Sequence, residues 1–218
     1  MDRRLLEAAW IGDVEYLFKL LEQDRFILHT VALAGGETPL HVACLAGHLD
    51  FVKEVLKLKK EFATELNQDG FTPLHIAASN GHVEIVKEIL KTDSNLCRLE
   101  GRDRMIPLHY AVIKGRVDVI KELLSASVDS IENTTARGET APHLAVNNHQ
   151  FQAFKALVEY LKEFKKEDLL NGKDNQGNTI LHLAVSRKQY EVRITRFFCL
   201  LYIYIYLGHC YCQSINCC

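Results

Sequence analysis

One spacing constrains this chain more than any other feature. His41, His75, His109 and His143 lie 34 residues apart, and His182 follows after 39. The residues around them repeat as well. Thr38-Pro39-Leu40-His41-Val42-Ala43 is matched by Thr72-Pro73-Leu74-His75-Ile76-Ala77, then by Ile106-Pro107-Leu108-His109-Tyr110-Ala111. Thr140-Ala141-Pro142-His143-Leu144-Ala145 and Thr179-Ile180-Leu181-His182-Leu183-Ala184 continue the series. A fixed period of this length means one supersecondary unit copied along the chain, with each copy burying its apolar face against the next.

The local chemistry tells what the unit is. Thr38 and Thr72 are suited to cap a helix, and the proline after each fits the first helical position, where no backbone N–H is needed. Gly47, Gly81 and Gly115 keep one phase with Gly12 and supply the left-handed residue that ends that helix. After each comes an apolar pattern of helical period, such as Val83, Ile85, Val86, Ile89 and Leu90. Gly35-Gly36 and Asp69-Gly70 mark sharp turns between units. The unit is therefore a turn, a helix, a tight reversal and a second helix. Val14–Leu21, headed by Leu5-Leu6-Glu7-Ala8-Ala9, adds an opening copy in which Leu6 takes the histidine slot.

These words resemble the ankyrin-repeat family. The resemblance implies an all-α ankyrin-repeat solenoid of helix-turn-helix units with short β-turn fingers. About six units are expected over residues 1–192, the last incomplete, at about 1–33, 34–67, 68–101, 102–135, 136–173 and 174–192. Finer words, above all Asp174-Asn175-Gln176-Gly177-Asn178-Thr179-Ile180-Leu181-His182, resemble plant ankyrin-repeat membrane proteins of the accelerated-cell-death kind. That resemblance implies a role in defence or stress signalling at the cytosolic face of the plasma membrane, without the C-terminal membrane domain of those proteins. Membrane association would then need such a domain or the tail to supply it, and this chain is expected to be cytoplasmic.

Two segments depart from the period. Residues 159–173 carry about five extra residues, expected to lengthen the second helix of the fifth unit as a solvated extension, or else a partner-binding protrusion. From residue 193 the pattern stops in mid-helix, and an apolar, Cys-rich stretch runs to residue 218. Its eleven-residue apolar run, 197–207, is shorter than the roughly twenty residues a membrane helix needs. Val192-Arg193 is what a splice-donor sequence would encode, so the tail is read as translated intron or a misplaced gene end. The alternative is an authentic membrane-surface anchor.

Composition bears on partners and chemistry. A formal net charge of −2 gives nucleic acid no electrostatic hold. Only Cys44 and Cys97 precede residue 198, so the body has no disulfide framework and reads as a reducing-compartment chain. The opening residues, with Glu7, Asp13 and Glu15 in an amphipathic pattern, are not expected to act as a signal peptide. The in-phase histidines sit one per unit, so they form a ladder and do not converge on a metal or catalytic centre. Each is read as bonding the repeat threonine or nearby backbone. Trp10 is read as packing within the first unit, with an exposed binding aromatic as the lesser alternative. No metal, cofactor or small-molecule substrate is expected, and an enzyme is the less favoured class.

The function expected is a protein–protein interaction scaffold or adaptor, with a soluble truncated regulator competing against full-length membrane-bound relatives as the alternative. Its partners are other proteins. Contacts are expected on the concave face: Leu33, Gln68, Phe71, Arg102, Arg104, Arg137 and Glu139 at the finger tips, with Leu45, Asn80, Lys114 and Asn147 on the first helices. The pair Arg102 and Arg104 in one tip reads first as a solvated loop, with contact to an acidic partner as the alternative.

Overall fold

A computed structural model describes residues 2–28 and 36–186. The tail at 193–218 and the turn at Gly35 lie outside the described residues, as does Leu33. The inner helices are α1 (Arg3–Ile11), α3 (Pro39–Ala46), α5 (Pro73–Asn80), α7 (Pro107–Ile113), α9 (Ala141–Asn147) and α11 (Ile180–Ser186). The outer helices are α2 (Val14–Gln23), α4 (Leu49–Leu58), α6 (Val83–Thr92), α8 (Val117–Ala126) and α10 (Phe151–Glu163). From α1 to α9 each inner helix packs on the next inner helix and on its own outer partner, which gives two layers in a row, and α11 packs on α9. Among the described residues there is no strand, so the array is the all-α solenoid that the repeat predicts.

The capping chemistry works as the sequence suggests. Thr38 stays extended at φ −85° while its Oγ1 accepts the backbone N–H of His41 at 3.4 Å, and Pro39 opens the helix. At the other end Gly47 adopts φ +87° and its N–H bonds the Ala43 carbonyl at 2.9 Å. A side chain at Gly47 would fail twice, because a Cβ there would also lie 2.8 Å from the His82 ring of the following unit.

The outer helices bury apolar residues at positions one and four apart: Phe51, Val52, Val55 and Leu56 in α4; Ile85, Val86, Ile89 and Leu90 in α6; Val119, Ile120, Leu123 and Leu124 in α8. Their far faces carry short-range ion pairs such as Lys57–Glu54 at 2.7 Å and Lys91–Glu88 at 2.9 Å, which keep them wetted. After each of these helices a 3-10 turn drops one or two apolar residues into the seam: Phe62, Leu96 and Ile131. The buried set is continuous from Leu5 to Ile180, so stability resides in the stacking between units.

The extra residues of the fifth unit are only partly helical. α10 has 13 residues against ten in the preceding outer helices, and the remainder forms a 3-10 turn at Glu167–Asn171. The extension does not protrude freely. Tyr160 donates its hydroxyl to the Leu124 carbonyl at 2.9 Å, and Lys166 Nζ reaches Asp129 at 3.0 Å and Glu132 at 2.6 Å. It is folded back on the fourth unit.

Candidate protein-binding surface

The fingers between units are held by the repeated histidines. In each described copy the backbone N–H three residues earlier donates to the ring Nδ1, at 3.3 Å from Thr140 to His143 and from Thr179 to His182, and at 3.1 Å in the three copies before them: Thr38 to His41, Thr72 to His75 and Ile106 to His109. Where threonine is present its hydroxyl also donates to Nδ1, at 2.8 Å in the first pair and 2.7 Å in the second. With Nδ1 taken as an acceptor, the proton sits on Nε2. That N–H reaches across to the next finger: from His41 to the Phe71 carbonyl and from His75 to the Met105 carbonyl, each at 2.9 Å, and from His109 to Asn133 at 3.2 Å.

The rings of His41, His75 and His109 are buried, and burial pushes them down to about 4. The carbonyls they face oppose that shift only in part. His143 is lowered for the same reason, but its buried Nε2 has no acceptor at bonding geometry. The period lengthens just after it, and the carbonyls of Gly172 and Asn178 lie near without closing the bond. The histidine ladder is thus a frame, and its fourth rung is loose.

A second ladder, not anticipated from the sequence, runs along the other end of the inner helices. His48 Nε2 bonds the Trp10 carbonyl at 2.9 Å, and Arg116 Nε donates to the Ser79 carbonyl at 3.2 Å. His82 and Gln150 occupy the same slot, against Gly47 and Gly115. Each side chain approaches the carbonyl end of the preceding inner helix, where donors are favoured. The signal was the Gly-His pair at 47–48 and 81–82.

The finger tips are also tied directly. The N–H of Arg102 bonds the Gly70 carbonyl at 3.0 Å, Ala136 bonds Asp103 at 2.7 Å, and Asn175 bonds Arg137 at 2.9 Å. Within three fingers a side-chain oxygen supports the turn: Asn67 Oδ1 accepts from Asp69 and Phe71, Thr135 Oγ1 from Arg137 and Glu139, and Asp174 Oδ1 from Gln176 and Asn178. Gly101 holds that position in the fourth finger and offers no oxygen. A Cβ there would lie 2.5 Å from the Gly70 carbonyl. This finger bends differently, with Asp103 at φ +57° and Arg104 at +56°.

The expected contact residues distribute as follows. Gln68, Arg102, Arg104 and Arg137 are exposed at the tips, Phe71 is half-buried, and Glu139 accepts a hydrogen bond from Asn147 Nδ2 at 2.7 Å. Leu45, Asn80 and Lys114 are exposed on or just after the inner helices. They come from two registers: Leu45 and Asn147 share one slot of the repeat, Asn80 and Lys114 the next. Phe71 packs edge-on against Tyr110 with centroids 5.2 Å apart, so an aromatic step joins finger to helix. Trp10 corrects the expectation of packing: it is 59% exposed in the slot of Leu45, which is 43% exposed, so the apolar part of this face extends into the first unit.

Reactive groups are few here. Burial pushes the Cys44 and Cys97 thiols up, away from the thiolate form. Among the described residues, no group of three or more His, Cys, Asp or Glu side chains is placed to hold a metal, and no helix is long and apolar enough to cross a membrane.

Comparison with known proteins agrees with this geometry. The ankyrin-repeat family matches in three copies, over residues 5–100, 61–133 and 108–195. An ankyrin repeat-containing protein of Arabidopsis thaliana, BDA1, is 50% identical over 190 residues, covering 84% of this chain. The chain spans 45% of the length of that relative. Ankyrin repeats are protein-interaction modules, and the chain belongs to the ankyrin-repeat family as it occurs in plants.

Proposed function

We propose that the chain is a protein–protein interaction scaffold or adaptor in plant defence or stress signalling, and that it is not an enzyme. In this reading the array at 1–192 acts on the cytoplasmic side and clasps a segment of another protein along its inner face. Gln68, Phe71, Arg102, Arg104, Arg137 and Glu139 contact the segment from the tips, and Leu45, Asn80, Lys114 and Asn147 from the helices, with Leu33 as a further expected contact. The plant setting is supported by the Arabidopsis relative, and the defence role by the resemblance to accelerated-cell-death proteins.

One observation carries the reading. The histidines that most invite a catalytic role spend both ring nitrogens on holding the fingers, and what they hold out is exposed side chains of mixed chemistry. A rigid frame with exposed, non-identical tips suits recognition, because little order is lost on binding. The test is capture of a partner from plant extract with the full chain, followed by calorimetric titration of the purified pair. Leu45→Asp with Phe71→Ala is expected to weaken the identified partner by about tenfold or more. Affinity unchanged by that double substitution refutes the assignment of the surface.

A further inference from the structure

The fourth unit differs from its neighbours in charge. From finger tip to the residue after the inner-helix cap, residues 102–116 carry Arg102, Arg104, Lys114 and Arg116 against Asp103 alone, a net of +3. The corresponding stretches 34–48 and 68–82 each carry a single carboxylate, Glu37 and Asp69, and 136–150 balances Arg137 with Glu139. On a chain of net charge −2, one inner face is distinctly basic.

We propose that this face is the docking point for an acidic protein segment, one that sets carboxylates on both sides of an apolar or aromatic anchor. The proposal rests on the scaffold reading above and names the chemistry of the partner. α7 separates the two cationic groups by about 10 Å, at a rise of ~1.5 Å per residue. Arg102 and Arg104 lie before it; Lys114 and Arg116 follow it. Tyr110 lies between them, half-buried and edge-on to Phe71 and to His75.

The cations are available. Arg102 is 4.0 Å from Asp69 and Arg104 is 3.5 Å from Glu100, with the arginine side chains 56% and 62% exposed. Lys114 and Arg137 have no ion pair among the described residues, and Arg116 is anchored through Nε to a carbonyl and not to a carboxylate. Arg104 is also held against its own preference. It stands at φ +56° in the slot where the other fingers use Gly70, Gly138 and Gly177, all at positive φ. Backbone conformation alone favours glycine there, and the arginine that stands in its place supports a role for its guanidinium in docking.

The neighbours select the kind of polyanion. Glu37 and Asp69 lie on one side of the basic face and the balanced pair Arg137 and Glu139 on the other, so a long uniform polyanion would meet repulsion on one side and no net attraction on the other. The first unit, with Asp2, Glu7, Asp13, Glu15, Glu22 and Asp24 against four cations, likewise opposes a broad anionic membrane. A short segment with a few carboxylates and an anchor fits one basic face between an acidic neighbour and a balanced one.

The test uses the full chain and two labelled synthetic peptides of equal length, each with a central tryptophan, one flanked by glutamates and one by glutamines. Fluorescence anisotropy is expected to give at least about tenfold tighter binding of the acidic peptide, with the advantage shrinking as salt shortens the screening length. Arg102→Glu with Lys114→Glu should abolish the preference, and Arg104→Gly should reduce it, with circular dichroism confirming that both variants are folded. Equal binding of the two peptides, or a preference that survives charge reversal, overturns the proposal. If Leu45→Asp with Phe71→Ala then removes binding of both peptides, the groove stands and only its charge preference falls. Binding of neither peptide also overturns it, and binding instead to phosphatidylserine vesicles assigns the face to lipid.

Discussion

Acid should loosen this array well above the pH at which its carboxylates protonate. His41, His75 and His109 are buried, each with Nδ1 facing donors, so a second ring proton has nowhere to point. Burial lowers each from 6.5 to about 4. Because the folded value lies below the unfolded one, the unfolded chain binds these protons first. The stability that the neutral rings provide is complete above about pH 6.5 and is lost as pH falls from there towards 4. At pH 5 an unfolded histidine is almost wholly protonated and a folded one almost wholly neutral, a difference of about 2 kcal/mol per ring. Three rings give about 6 kcal/mol, comparable with the whole stability of many domains, about 5–15 kcal/mol.

The shifted carboxylates do not blur this window. Asp2, Glu84, Asp129 and Asp174 are held below their ordinary values, so what they contribute is present above about pH 4 and lost only as pH falls further. The assay is urea unfolding followed by far-UV circular dichroism at several pH values between about 7.5 and 5. The midpoint should fall steadily below about pH 6.5. His109→Gln, which removes one of the lowered rings, should be less stable at neutral pH yet lose less on acidification, by one ring's share of about 2 kcal/mol at pH 5. A midpoint flat across this range, or imidazole NMR signals from the buried rings titrating near 6.5, would refute the reasoning.

Three further outcomes follow from the geometry. Gly47→Ala should destabilise by at least about 1–2 kcal/mol, since a left-handed backbone at φ +87° disfavours any side chain and the His82 ring occupies the space; thermal unfolding reads it. Arg104→Gly should raise the thermal midpoint, with relief of up to about 1 kcal/mol after the greater freedom of glycine in the unfolded chain is subtracted. Tyr160→Phe should cost about 1 kcal/mol in urea unfolding by deleting the bond to the Leu124 carbonyl, and no loss would mean that the helical extension is not anchored there.

What could be read from the sequence was whatever acts within a few residues. Threonine, proline and histidine at 38, 39 and 41 serve one helix start through contacts three residues apart, so the same letters recur in order. The finger cradle was not legible, because Asn67, Thr135 and Asp174 supply one chemical group, an oxygen, under three different names. The His48 and Arg116 ladder was missed because its partners lie a full unit away. Trp10 was misplaced because residue type does not separate a groove position from a core position when leucine occupies the same slot in the next unit. The fifth-unit insertion had a legible length but not a legible division between helix and turn, which depends on the reach of Tyr160 and Lys166 to the fourth unit.

Frame and surface are separable in this chain, and the fourth unit makes that visible. It lacks the capping threonine, with Ile106 in its place; it lacks the finger oxygen, with Gly101; and it lacks the tip glycine, with Arg104. In a domain with one central core, three such departures together would threaten the fold. In a stack, the units on either side impose the geometry: His75 bonds Met105, Gly70 accepts from Arg102, and Asp103 accepts from Ala136. Neighbours therefore carry the unit that departs from the pattern, and that unit is free to present charge where the pattern would place glycine. Discrimination between partners should accordingly depend more on residues 102–116 than on any stretch of equal length in the regular units, and transplanting these fifteen residues into the register of 68–82 should move the acidic-peptide preference with them. A chimera that folds, yet binds the acidic peptide no better than the parent with residues 102–116 neutralised, would show that the preference belongs to the whole array.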